Sequence, residues 1–243
     1  MRLNQYLSSI GFCSRREADR FITAGRICVG RDGEVGVLGQ FVQGNEKIFF
    51  DHRLIPKEET PLLLAVNKPK GILCTSAKNE GDNIIDFLDY PKRIYPIGRL
   101  DKDSTGLLLM TNQGDLVNKI LRAGNLHEKE YRVKINRPLR QEHKKAMEQG
   151  LPILGQLTKP CKIIQKSNTV FHIILVQGLN RQIRRMCEYF GYRVSELKRL
   201  RIMHVTLGNL EEGEYRNLTK QEERKLKQLL TSSDNRPAKE RIN

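Results

Sequence analysis

Asp101 and Asp103 stand in a polar, turn-forming run, Gly98-Arg99-Leu100-Asp101-Lys102-Asp103-Ser104-Thr105-Gly106, that leads directly into the apolar run Leu107 to Met110. So short an apolar run, bounded by turn formers, reads as a buried strand rather than a helix. Carboxylates and an arginine at the mouth of such a strand are partly desolvated, which is where a carboxylate acquires a role beyond solubility. Being two residues apart on an extended segment, both aspartates point the same way and could hold a metal or form an acid–base pair. Equally, either could be a turn or capping residue. His52, His127, His143, His172 and His204 are dispersed without ligand spacing, and neither a G-x-S-x-G nor a phosphate-loop motif occurs. The five cysteines, Cys13, Cys28, Cys74, Cys161 and Cys187, include no CxxC pair, so a reduced, cytosolic compartment and no structural zinc are expected. What remains is a carboxylate acting without metal or cofactor.

The charge balance says on what. The 243-residue chain carries 43 Lys and Arg against 28 Asp and Glu, a formal net charge of +15, which points to a polyanion and first to nucleic acid. The excess is localised. Residues 1–31 hold six arginines against Glu17 and Asp19, and residues 180–210 hold seven basic groups against Glu188 and Glu196. No apolar run reaches membrane-spanning length and the N-terminus lacks the core of a signal peptide, so a cytoplasmic protein with no membrane partner is expected.

The elements that must position these groups are legible in part. Leu3, Tyr6, Leu7 and Ile10 recur at helical spacing, and Ser14-Arg15-Arg16-Glu17 has the form of a capping box opening a second helix that buries Ala18, Phe21 and Ile22. That helix exposes Arg15, Arg16 and Arg20, and Ile27 to Val29 follows as strand. Asp51 to Pro61, charged and with two prolines, reads as a linker. Beyond it the pattern predicts strands over Leu62 to Val66, Leu107 to Met110, Glu130 to Ile135 and Phe171 to Val176. Helices are predicted over Asn83 to Tyr90, Gly114 to Arg122, Arg140 to Gln149, the run after Leu179, and Thr219 to about Leu230. Two short strands are predicted between Arg193 and Leu207, and the polar residues 232–243 read as a disordered basic tail. The helix after Leu179 buries Ile183, Met186, Cys187 and Phe190 and displays Arg181, Arg184 and Arg185. Without βαβ alternation or GxGxxG, the expected class is α+β with a central, largely antiparallel mixed sheet flanked by helices.

Two resemblances give these residues roles. RLNQYL, CSRREADRFI and GRICVG, from Arg2 to Gly30, resemble the S4-type RNA-binding module, which implies RNA contacts by Arg2, Arg15, Arg16, Arg20 and Arg26. NKPKG, GRLDKDSTGLLLMTN, HEKEYRV and GLNRQIRRM, in that order, resemble the RsuA-type pseudouridine synthases, and in particular their large-subunit rRNA branch. Together the resemblances cover about residues 1–230. They imply an S4-type domain at 1–50, the linker at 51–61 and a catalytic domain at 62–231.

The second resemblance implies that Asp101 is the nucleophile in the isomerisation of a flipped-out uridine. Tyr131 would stack on the base and remove a proton, and Arg184 would pair with Asp101. Arg99, Lys129, Arg181 and Arg185 would contact RNA, Arg181 having no catalytic role. Lys68 would contact RNA or support the site, NKPKG being equally readable as a structural turn, while Asp103 would shape the turn by accepting backbone N–H bonds. The isomerisation adds no atoms, so no metal or cofactor is expected. The implied partner of this monomeric enzyme is large-subunit rRNA, with a tRNA as an open second substrate. The rival class is a non-catalytic RNA-binding or ribosome-assembly protein. A DNA-binding role is disfavoured because no recognition-helix or zinc-finger pattern is present.

Overall fold

The structure is a computed structural model that describes residues 1–30, 33–56, 61–75, 81–121 and 126–231. The expected tail from residue 232, residues 57–60 of the expected linker and Arg122 lie outside the described residues. The chain divides into two compact units, the first built mainly from Met1–Leu62 and the second from Leu63 onward.

In the first unit, α1 (Leu3–Ser9) and α2 (Arg15–Thr23) precede the strands β1 (Ile27–Val29), β2 (Glu34–Val35), β3 (Ile48–Phe50) and β4 (Arg53–Leu54), which pair in the order β2-β1-β3-β4. The capping box forms as the sequence predicts. Ser14 accepts from the Glu17 N–H at 3.2 Å and Glu17 accepts from the Ser14 N–H at 2.8 Å. Leu3, Leu7, Ala18, Ile22, Ile27 and Ile48 make its core. Asp51 to Ile55, expected in the linker, belongs to this unit. Asp51 and His52 take positive φ and turn the chain, β4 then pairs antiparallel with β3, and Ile55 is buried in the core. Turn geometry and one apolar residue decide this, and neither shows in a composition reading.

The second unit is a nine-stranded sheet with helices against it. In chain order it has β5 (Leu63–Lys68), α3 (Ile84–Leu88), β6 (Tyr95–Ile97), β7 (Thr105–Thr111), α4 (Gly114–Leu121), β8 (Lys129–Ile135), α5 (Gln141–Gln149), β9 (Pro152–Ile153) and β10 (Gln156–Leu157). There follow β11 (Lys162–Gln165), β12 (Val170–Leu175), α6 (Gln182–Tyr189), β13 (Val194–Ile202), β14 (Val205–Thr206), β15 (Tyr215–Asn217) and α7 (Lys220–Leu230). The sheet runs β11-β12-β8-β13-β7-β5-β15, with β14 on β13 and β6 on β7, while β9 and β10 form a separate hairpin. Where β13 meets β7 the pairing is parallel; β11/β12, β12/β8, β8/β13, β13/β14 and β5/β15 are antiparallel. The mixed sheet therefore agrees with the expected class.

Two differences bear on the site. The segment expected to hold two short strands is one nine-residue strand followed by a two-residue one, because β13 tolerates a register shift between Arg199 and Arg201. β6, β9, β10, β11 and β15 carry no apolar alternation long enough to signal a strand. Packing divides the unit's interior into two clusters. One, around Val133, Phe171, Ile173, Met186 and Cys187, fixes α6 against β8 and β12; the other, around Leu107, Leu109, Ile120 and Leu226, carries α4 and α7.

Candidate active site

The turn that opens β7 is held from three directions. The N–H of Ser104 donates to the backbone oxygen of Asp101 at 3.0 Å, and the N–H of Gly71 donates to the oxygen of Lys102 at 2.8 Å. The N–H of Leu100 donates to Cys74 Sγ at 3.3 Å. Lys68, at the end of β5, is fully buried, and its Nζ donates to the oxygens of Ser104 (2.9 Å) and Pro69 (2.7 Å). Burial pushes this amine below its ordinary range against the pull of the Asp103 and Asp101 carboxylates. Of the two readings of Lys68, RNA contact and support of the site, its burial is at odds with the first and fits the second. A side chain with no exposure, used on two backbone oxygens, positions the turn.

Asp101 and Asp103 remain partly open to solvent at the mouth of β7, with side chains 31% and 42% exposed. Two arginines from the start of α6 meet them. Arg184, on the buried face of α6, directs Nη2 to Asp103 Oδ2 at 3.1 Å, to the Asp103 backbone oxygen at 3.2 Å and to Ser104 Oγ at 3.3 Å. Its Nη1 donates to the Val194 oxygen at 3.3 Å, and its Nε, buried and without a hydrogen-bond partner among the described residues, lies 3.9 Å from Asp101 Oδ2. The expected Arg184–Asp101 pairing is thus present as a longer contact, and the tighter one is to Asp103.

Arg181, expected only to touch RNA, places Nη1 3.5 Å from Asp101 Oδ2 and 3.4 Å from Asp103 Oδ1. Burial works to raise the Asp103 carboxyl, but the Arg184 charge and the Arg181 hydrogen bond outweigh it and hold the group below its usual range. Beside the backbone N–H bond that its turn-shaping role calls for, which here is its own, the Asp103 carboxylate meets two guanidiniums, and the Ser104 N–H goes to the Asp101 backbone oxygen.

Tyr131 reaches the site through strand register. On β8 it is level with Arg199 of β13, and Arg199 is level with Gly106 of β7, so Tyr131 lies two strand spacings, about 10 Å, from the strand that Asp101 opens. Gly106 is required there. It takes φ +102°, and a Cβ would come within 2.3 Å of the Arg199 backbone oxygen. Arg199 is buried, donates from Nε to the Leu107 oxygen at 2.6 Å, and sets its guanidinium 5.9 Å from the Tyr131 ring centroid. Nothing in VSELKRLRI singles out Arg199 from its basic neighbours, so only the packing finds it. For Lys68 a signal exists, a lysine closing the continuous apolar run LLLAV.

The other expected RNA contacts separate by exposure. Arg2, Arg15, Arg16 and Arg20 of the first unit and Arg99 of the second are exposed. Arg185 is partly buried and donates to the Asn180 backbone oxygen at 3.1 Å. Arg26, although exposed, is committed within its unit. It forms a paired ion bridge with Asp51, with Nε to Oδ1 at 2.9 Å, and lies over the Phe21 and Phe50 rings. Lys129 is buried, 7% exposed, and burial followed by the Arg199 charge brings its amine down to about 8. Neither is presented to a polyanion as the sequence reading expected.

Comparison with known proteins bears on the whole chain. Residues 62–189 match the RNA pseudouridylate synthase family and residues 1–31 the S4 domain. The chain is 54% identical to the dual-specificity RNA pseudouridine synthase RluF of Salmonella typhi, covering 91% of this chain and 76% of that protein. It is 32% identical to the ribosomal large subunit pseudouridine synthase B of Bacillus subtilis, covering 96% and 98%. A solved pseudouridylate synthase crystal structure superposes with a TM-score of 0.69 at 30% identity, covering 93% of this chain and 99% of that one.

Proposed function

The chain belongs to the RNA pseudouridylate synthase family, and from that premise we propose that it converts a specific uridine of large-subunit ribosomal RNA to pseudouridine, with a tRNA as a second substrate. The observation that carries this reading is Asp101, partly exposed at the end of a turn clamped by Lys68, with the Oδ2 oxygen facing Arg181 and Arg184. A carboxylate so placed is accessible to a large substrate and oriented before it arrives.

In this reading the target uridine leaves its stack and enters beside Tyr131, whose ring, backed by Arg199, stacks on the base. The Asp101 carboxylate attacks ribose C1′ as the C1′–N1 bond breaks, and the freed uracil anion turns. Uracil C5 then bonds to C1′ and displaces the carboxylate, and the C5 proton is relayed to N1 through the Tyr131 hydroxyl, which gives up its own proton as it accepts one, so the product has the composition of the substrate. The Arg184 charge, 3.9 Å from Asp101 Oδ2, holds the carboxylate in place. Arg99 and Arg185 meet phosphates near the flipped nucleotide, and Arg2, Arg15, Arg16 and Arg20 of the S4-type unit bind the RNA backbone. The tail from residue 232 adds basic charge to the same task. We read the enzyme as a cytoplasmic monomer; no helix among the described residues is long and apolar enough to cross a membrane.

The test is pseudouridine mapping on ribosomal RNA and tRNA incubated with the protein. Wild type is expected to convert a defined uridine, and Asp101→Asn to reduce conversion at least about ten-thousandfold. Unimpaired conversion by Asp101→Asn would remove the nucleophile, and RNA binding with no base change by wild type would favour a non-catalytic binding protein.

A further inference from the structure

Arg181 occupies a position that local preferences would give to another residue. It is the N-cap of α6, where Ser, Asp or Asn would accept an N–H of the first turn, and its side chain makes no capping bond. Its backbone lies in the left-handed region at φ 52°, ψ 32°, which suits Gly or Asn and strains a residue with a longer side chain. What the arginine gains is a location. One nitrogen, Nη1, stands over oxygens of both carboxylates, at 3.5 Å from Asp101 Oδ2 and 3.4 Å from Asp103 Oδ1.

Arg184 already serves the permanent role there, being buried and bonded to the Asp103 carboxylate, its backbone oxygen and Ser104. Arg181 differs in being 40% exposed, so its contacts are made in water and exchange readily. The same Asp101 oxygen faces both arginines. An oxygen that is to form a bond to the substrate must lose a cation that covers it, and the accessible cation is the one free to leave. An RNA strand brings a phosphate to this mouth, and a guanidinium binds phosphate with two parallel hydrogen bonds.

We propose that Arg181 is a transferable arm. In the free protein it covers the reactive oxygen of Asp101; when RNA binds, it moves to a backbone phosphate beside the target nucleotide and leaves Asp101 to Arg184. This rests on the reading of Asp101 as nucleophile, and it makes Arg181 a positioning residue that couples RNA binding to exposure of the carboxylate.

The experiment compares the full-length protein with Arg181→Gly and Arg181→Lys on one large-subunit rRNA transcript. Arg181→Gly is expected to unfold at a higher temperature, since it relieves the left-handed strain and removes only exposed ion pairs. Its RNA affinity should be less salt-dependent, the log–log slope falling by about 0.7 to 0.9 because one phosphate fewer is neutralised. KM should rise about tenfold or more and carry the larger part of the fall in kcat/KM, and Arg181→Lys should recover part of the affinity. An unchanged salt slope, or a lower unfolding temperature with the defect concentrated in kcat, overturns the proposal and makes Arg181 a fixed member of the site. Wild type on the same transcript separates the two readings. Absence of pseudouridine there defeats the enzymatic function, while the salt slopes still decide whether Arg181 grips a phosphate.

Discussion

Lys68 and Lys129 are both buried lysines near the site, and their surroundings assign them opposite effects on stability. Lys68 supplies donors that two backbone oxygens use, the part-buried one of Pro69 at 2.7 Å and the buried one of Ser104 at 2.9 Å. Lys68→Met leaves the buried Ser104 oxygen unmatched at a cost of about 1–3 kcal/mol and frees the turn that carries Asp101. A lower unfolding midpoint and a fall in kcat are expected together, read by thermal denaturation and single-turnover conversion. Lys129 holds its charge against burial and the Arg199 guanidinium, its amine brought from 10.5 down to about 8. With the folded value the lower one, the unfolded chain binds the extra proton between pH 8 and 10.5, so stability rises with pH through that window and the charged lysine is a constant burden below it. Lys129→Met should therefore raise the unfolding free energy at pH 7, by an amount on the order of 3 kcal/mol, and with it the midpoint, and should abolish the rise between pH 8 and 10.5. A fall in the midpoint at pH 7 would contradict this account.

At the scale of elements, α7 shows how a cap and an ion pair act as one group. Glu222 accepts from the Thr219 N–H at 2.8 Å as the third residue of the capping box, and the same carboxylate takes Arg216 of the adjoining β15 at 2.7 and 2.8 Å. The Arg216 hydrogen bond, with smaller help from Thr219, lowers its carboxyl from 4.5 to about 2. A depressed carboxyl stabilises the fold above the unfolded value and loses that contribution as pH falls toward the folded one, here from about 4.5 to about 2. Glu222→Gln should be less stable at pH 7, and the difference from wild type should shrink as pH falls through that range; a gap of constant size would assign the effect to packing. The Thr219 to Glu222 spacing is legible in the sequence because it is local. The Arg216 partner is not, since β15 is three residues long and its alignment beside β5 is set by the sheet.

For the whole molecule the governing quantity is charge. A net +15 makes RNA affinity fall steeply with salt, and the exposed arginines of α2 are one source of that dependence. The double substitution Arg15→Ala with Arg16→Ala should lower the salt slope by about 1 to 2 and raise KM, with kcat changing less than KM, as filter binding and steady-state kinetics on one transcript would measure. A fall in kcat alone would mean that the first unit does more than hold RNA. Arg26 lies in the same unit, yet Asp51 neutralises it, so the pair adds nothing to the net charge and the number of arginines overstates what is open to a polyanion.

The sequence by itself determined the family, the two-part organisation of motifs, the helices with local caps, and the choice of Asp101 as the candidate nucleophile, because these depend on residue identity, short spacing and motif order. The mouth of β7 was visible for the same reason: turn formers against an apolar run is a local signal. Which arginine faces which carboxylate was decided only by the tertiary structure. Arg184 and Arg181 lie far along the chain from the aspartates, and the fold gives the tighter contact to Asp103 and shares Asp101 between them. Burial made the same kind of decision for Lys68, Lys129 and Arg199. A cation in a sequence reads as a surface group, and apart from the apolar run beside Lys68 it is the packing of β5, β8 and β13 that shows these three turned inward, where their hydrogen bonds and charges shape the site.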